Sequence, residues 1–230
     1  MRRIGILLLA FAITASAQQP QQPPPAPPAQ AQPAQPPITP DALWKALVQG
    51  NKQFVAGTVA YNLLKDEREQ LRDTQAPPVT VLSCSDSRVP PELVFNQSLG
   101  ALFVVRVAGN VADDFGLASI EYAVSQGYTK LIVVLGHERC GAVTASLGGA
   151  DPGTPSLQKL AARIRASFIG IPYDSRSAVN VQRAVEANAR AAAAQLLASS
   201  KLLRDAAATE QIKIVTAVYD LDTGEVKAID

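Results

Sequence analysis

Residues 131–141 read Leu131-Ile132-Val133-Val134-Leu135-Gly136-His137-Glu138-Arg139-Cys140-Gly141, and the fold is decided here. The first five residues are all apolar, and three of them are β-branched. A strand with one wet face would alternate, so an unbroken run describes a strand covered on both faces. Working outward, similar, mostly apolar and β-branched runs recur in Val79–Ser83 after Pro77-Pro78, in Ala101–Val107 and in Ile212–Tyr219. Helical patterns fill the gaps over Asp114–Gln126, Ser156–Ser167 and the alanine-rich Ser177–Ala208. Strands alternating with helices predict the α/β class, with a central, mostly parallel β-sheet flanked by helices. Asp222-Thr223-Gly224 is a hairpin signal, so Glu225–Ile229 is expected as an antiparallel edge strand at the C-terminus.

Toward the N-terminus, Thr39-Pro40-Asp41 combines a capping hydroxyl, a proline at the first helical position and an acid in the first turn. The helix it opens carries Leu43, Leu47 and Phe54 on one face and is expected to end near Gly57; a second helix is expected over Leu64–Leu71. Residues 18–38 are almost entirely Gln, Pro and Ala. Such a segment cannot bury enough apolar surface to offset its ordering entropy, so it reads as a disordered or polyproline-II linker. Residues 1–17 read as a signal peptide: Arg2-Arg3, the apolar run Ile4–Ile13, then Ala15-Ser16-Ala17 as a cleavage site. The run is well short of the ~20 residues needed to span a bilayer. The expected organisation is therefore signal peptide 1–17, linker 18–38 and folded domain 39–230, in an exported protein, periplasmic or secreted. Of the 230 residues, 47% are hydrophobic and 18% charged, which suits one domain with a sizeable core. Without residues 1–17, which hold Arg2 and Arg3 and no acid, 19 basic face 20 acidic side chains. A near-neutral domain without Lys/Arg runs argues against nucleic acid as a partner, and against a membrane once the signal peptide is gone.

The chain has two cysteines and one histidine. Cys84 follows one predicted strand, and His137 and Cys140 follow another. Open α/β sheets bind ligands beyond the carboxyl ends of their strands, so all three are expected at one rim. Two thiolates and an imidazole form the ligand set of a catalytic zinc, with a fourth position left for water or substrate. In an exported protein, two cysteines equally suit a Cys84–Cys140 disulfide, and the chain would then be a non-enzymatic domain. Cys84-Ser85-Asp86-Ser87-Arg88 adds a carboxylate and a guanidinium within four residues of the first cysteine.

Cys84-Ser85-Asp86-Ser87-Arg88-Val89-Pro90-Pro91-Glu92 and His137-Glu138-Arg139-Cys140-Gly141 resemble the two signature motifs of the β-class carbonic anhydrases. Further similarity lies in Phe103–Asn110, Ser119–Ala123 and Tyr219–Gly224, so the resemblance runs from Leu43 to Val226. It implies a zinc-dependent lyase with one Zn2+ per subunit, held by Cys84, His137 and Cys140. The implied reaction is the reversible hydration of carbon dioxide to bicarbonate and a proton by zinc-bound hydroxide. In the family, an aspartate at the position of Asp86 orients the hydroxide. An arginine matching Arg88 keeps that aspartate ionised and off the metal. Gln75, Phe103 and Tyr122 match carbon dioxide-site residues of the plant-like branch, and Gly141 is placed with them. Part of that pocket comes across a dimer interface in the family, so a homodimer or dimer-based oligomer is expected. Another branch carries a tryptophan three residues before the first zinc cysteine, where it helps bind inhibitory bicarbonate. Here Val81 stands there, so bicarbonate inhibition is expected to be weak or absent although Arg106 of the same pocket is present. A hydrolase of carbon disulfide or carbonyl sulfide on the same scaffold is the alternative enzyme.

Overall fold

The computed structural model describes residues 38–58, 64–149, 151 and 153–229. The expected signal peptide, and the expected linker up to residue 37, lie outside the described residues. Each apolar run forms a strand: β1 (Val79–Ser83), β2 (Leu102–Arg106), β3 (Leu131–His137) and β4 (Lys213–Tyr219), followed by the short β5 (Val226–Ala228). They form one sheet in the order β2-β1-β3-β4-β5. The first four strands are mutually parallel and β5 is antiparallel to β4, as expected.

Eight helices surround the sheet among the described residues: α1 (Pro40–Val55), α2 (Leu64–Gln70), α3 (Pro91–Val94), α4 (Asp114–Ser125), α5 (Gly141–Leu147), α6 (Pro155–Arg165), α7 (Ala178–Ser199) and α8 (Lys201–Ala208). Side chains alternate across β3 and feed two cores. Val133 and Leu135 pack with Leu47 of α1, Val94 of α3, and Val79 and Val81 of β1. Ile132 and Val134 pack with Ile120 of α4, Leu196 of α7 and Leu203 of α8. Every residue of β1 and β3 is consequently buried, which is why neither strand alternates in sequence.

Helix α1 begins as the sequence predicts, with Thr39 Oγ1 accepting the Ala42 N–H at 3.2 Å. Its buried Asn51 ties three elements together. Asn51 Nδ2 donates to the carbonyls of Val94 (3.0 Å) and Gly224 (2.8 Å), and Oδ1 accepts the Val226 N–H (2.9 Å). Next to it, a Cβ on Gly50 would stand 2.0 Å from the Phe95 carbonyl oxygen, so only glycine allows this approach.

The alanine-rich stretch expected as one helix over Ser177–Ala208 is two. Ser200 adopts an extended conformation (φ −116°, ψ 116°) and is at once the C-cap of α7 and the N-cap of α8. Its Oγ accepts the Leu203 N–H at 3.2 Å and donates to the Glu121 carboxylate. A serine hydroxyl offers the backbone an alternative to helical hydrogen bonding, and here it outweighs the helix propensity of the alanines. Helices α3 and α5 and a 3-10 turn at Ala108–Asn110 also lie where no helix was expected. Parallel register sets the site: Ser83 stands opposite both Arg106 and Leu135, so Cys84 and His137 emerge at the same rim.

Candidate metal centre

Cys84 is the first residue past β1, His137 the last of β3, and Cys140 the residue before α5. All three are buried, at 5%, 0% and 1% exposure. Their donor atoms lie within 4.8 Å of one another. The two sulfurs are 3.9 Å apart and both cysteines are free. A disulfide needs about 2.05 Å, so the stapled-domain reading fails on distance. Two sulfurs each ~2.3 Å from a tetrahedral zinc would stand about 3.8 Å apart, which the observed spacing matches.

The imidazole is presented in the matching form. His137 Nδ1 lies 2.9 Å from the Glu138 carbonyl, so Nδ1 carries the proton and Nε2 offers its lone pair. Nε2 is buried without a hydrogen-bond partner. Leaving such an atom unsatisfied is costly, and a cation between it and the sulfurs removes the cost. The donor set fits zinc.

The loop joining the two ligands of β3 and α5 is clamped. The Glu138 N–H donates to the Tyr219 carbonyl at 3.0 Å. Arg139 sits in the left-handed region (φ +50°), and its guanidinium grips the Asp222 carboxylate through two bonds of 2.8 Å. Asp222 is itself set by Asp220, whose Oδ1 accepts the N–H groups of Asp222 (2.8 Å) and Thr223 (3.0 Å).

Arg88 holds Asp86 from three directions. Its backbone N–H and Nε reach Oδ1 at 3.0 and 2.9 Å, and Nη2 reaches Oδ2 at 2.7 Å. These bonds hold the carboxyl well below the usual carboxylate range. Asp86 Oδ2 stands 3.8 Å from His137 Nε2, at the edge of the donor set. Arg106, at the end of β2, fastens the same loop by donating to the carbonyls of Cys84 (3.0 Å) and Asp86 (2.6 Å). Cys84 is pushed well below an ordinary thiol, chiefly because the Cys140 thiol donates to it, and the Gly109 N–H adds a bond at 3.3 Å. The same shared proton, with burial, pushes Cys140 up.

The remaining sequence-predicted residues divide. Gly141, the exposed first residue of α5, has no neighbouring atom within 4 Å of where a Cβ would stand, so space beside Cys140 is open. Phe103 pairs with Thr80, three residues below Ser83, or ~10 Å down the sheet from the rim. Its ring packs against that of Tyr122, with centroids 6.3 Å apart. Gln75 is exposed and precedes β1, whereas Cys84 follows it. The structure therefore gathers Cys84, His137, Cys140, Asp86, Arg88 and Gly141, and sets Gln75, Phe103 and Tyr122 apart from them. Sequence reasoning placed Arg106 and Gly109 within a matching segment but missed the carbonyl-holding role of the one and the sulfur contact of the other, and it missed Asn188 altogether; Asn188 Nδ2 donates to the Gly109 carbonyl at 2.7 Å. The one available signal was a lone amide on an otherwise apolar stripe of α7.

The carbonic anhydrase family model matches residues 79–226. Carbonic anhydrase 2 of Mycobacterium tuberculosis (strain H37Rv) is 39% identical over 189 residues, covering 80% of this chain and 90% of its own. The carbonic anhydrase of Mycolicibacterium smegmatis is 40% identical over 192 residues, covering 82% and 92%. Among solved structures, one from a study of two tetrameric β-carbonic anhydrases of Sordaria macrospora shares a TM-score of 0.66 at 25% identity, covering 82% of this chain and 97% of that one. The Coccomyxa β-carbonic anhydrase in complex with acetazolamide has a TM-score of 0.61 at 27% identity, covering 80% and 84%. Matching from the first strand to the last, across both cysteine-bearing segments, the chain belongs to the β-carbonic anhydrase family.

Proposed function

We propose that the chain catalyses the reversible hydration of carbon dioxide to bicarbonate and a proton, with one zinc ion per subunit held by Cys84, His137 and Cys140. The observation that carries the zinc assignment is the buried, unpartnered His137 Nε2 facing two sulfurs at tetrahedral spacing. Held by Cys84, His137 and Cys140, a zinc ion would supply the Lewis acidity that lowers the pKa of a bound water. The protein's own groups do the rest. Asp86, ionised under Arg88, can only accept a hydrogen bond, and so fixes the orientation of an O–H group placed between it and His137. The fork of Arg88 occupies both carboxylate oxygens and keeps Asp86 from closing the last 3.8 Å to the donor set.

An uncharged substrate needs apolar walls, and Phe103 and Tyr122 supply them to the site of a second copy. Two facts support this reading. Phe103 lies on β2, an edge strand of the sheet, and half of the Tyr122 surface is open at 52% exposure. The protein is exported, on the strength of the Arg2-Arg3 pair, the following apolar run and Ala15-Ser16-Ala17; mass spectrometry of the mature chain should find Gln18 at its N-terminus.

The central test is metal analysis joined to a stopped-flow assay of carbon dioxide hydration. Wild type should hold about one zinc per chain, and Cys140→Ser should lose metal and activity together. A folded, metal-free wild type that still hydrates carbon dioxide would overturn the assignment.

A further inference from the structure

Helix α7 buries Val181, Ala184, Val185, Asn188, Ala189, Ala192 and Leu196. Asn188 is the one polar residue in that stripe and is 4% exposed. A buried amide among alanine and valine costs desolvation unless it is hydrogen-bonded, and an apolar side chain of its size would pack as well. Its bonds run to the turn beside the metal centre: Nδ2 donates to the Gly109 carbonyl at 2.7 Å and lies 3.5 Å from Asn110 Oδ1.

That turn is unusual. Gly109 and Asn110 are consecutive left-handed residues, φ +66° and +46°, and both are buried. A Cβ on Gly109 would be strained at this φ and would stand 2.8 Å from Ile164 Cδ1, which would have to shift. The turn is fastened below, where the Asn110 N–H donates to the Val107 carbonyl and the Val107 N–H to the Ser83 carbonyl. It is fastened above by Asn188. Between these anchors the Gly109 N–H points at Cys84 Sγ, 3.3 Å away.

We infer that Asn188 is a positioning residue for the metal centre: by holding the Gly109 carbonyl it fixes the conformation of this left-handed residue, so that the N–H on the other side of its Cα is donated to the Cys84 sulfur. The inference rests on the zinc reading above. An N–H bond to a ligating thiolate fixes its direction and draws charge from it, and such outer partners strongly affect metal affinity. Asn188 thereby links a ligand at the end of β1 to a helical position more than a hundred residues further along the chain.

The test uses the metal-loaded protein. Asn188→Ala and Asn188→Leu should each still take up one metal, but release zinc to a competing chelator ~10–100-fold faster than wild type. Loaded with cobalt(II), both should show a displaced sulfur-to-metal charge-transfer band, which a purely structural role would leave in place. In 113Cd-loaded wild type, the Gly109 amide proton should show scalar coupling to cadmium through the sulfur. Unchanged release and an unchanged band in two folded, loaded variants would overturn the inference while leaving the zinc reading intact. Absence of the cadmium coupling in loaded wild type would do the same, and that measurement decides alone if neither variant folds. A wild type that binds no metal at all would remove both readings.

Discussion

Asp86 and Arg88 show what two residues achieve when separated by one. The backbone N–H of Arg88 and two of its guanidinium nitrogens converge on one carboxylate, which stays ionised through the whole neutral range. The folded carboxyl lies below its ordinary value, so the pair's contribution to stability is present above the unfolded value near ~3.9. It is lost only as pH falls through the folded value. Between pH 5 and 8, activity changes therefore arise elsewhere than at Asp86. Asp86→Asn tests the role directly. The amide keeps the shape but offers N–H groups where only an acceptor serves, so hydration should fall by at least ~100-fold. Zinc content should stay near one per chain; loss of metal with the rate would instead make Asp86 part of the metal's support. These two residues, with Cys84, His137 and Cys140, were legible because scarcity and close spacing mark them in sequence, whereas Gly141 entered through the resemblance alone. The left-handed Arg139 and the reach of Asn188 to Gly109 were not legible. Both depend on where the backbone of a distant element passes, and no local pattern encodes that.

Strands were easier to see than helices, and the reason is physical. A largely apolar, β-branched run in this length range, flanked by turn residues, marks a strand, and all four parallel strands were found this way, although only β1 and β3 are buried along their whole length and the edge strand β2 is mostly half-buried. The four-residue α3, the seven-residue α5 and the turn at Ala108–Asn110 are too short to show a helical period. The break at Ser200 was hidden for the opposite reason, since the flanking alanines favour helix throughout. One hydroxyl decides it, capping α8 through the Leu203 N–H while bonding Glu121 of α4. Ser200→Ala leaves both partners without it in a site 1% exposed. The expected loss is about 1–2 kcal/mol, read from urea denaturation, with zinc content unchanged. Ser200→Thr, which keeps the hydroxyl, should recover much of that loss. If alanine proves neutral, the break is set by packing of α8 and not by the cap.

At the scale of the whole molecule, the donor set and the pair Phe103 and Tyr122 lie in different places. The donors, Asp86 and Arg88 cluster where β1 and β3 end, whereas Phe103 and Tyr122 form a pair part-way down the outer side of the sheet. One chain thus brings the three donors together but leaves Phe103 and Tyr122 away from them. If those residues serve a second copy, each site borrows its walls, and activity requires association although metal binding does not. Sedimentation of wild type should show a dimer or a multiple of it. Phe103→Arg puts a charge on the edge strand and should shift the protein toward monomer. That monomer should keep one zinc per chain, because the donors come from the ends of β1 and β3 and the start of α5 and none from β2, yet hydrate carbon dioxide about 100-fold more slowly, the scale of loss expected when substrate is no longer positioned. The separation of the two readouts matters: loss of zinc together with activity would mean general unfolding. A monomer retaining both zinc and full rate would mean that a single chain builds its own pocket, and that Phe103 and Tyr122 belong to the core and not to the site.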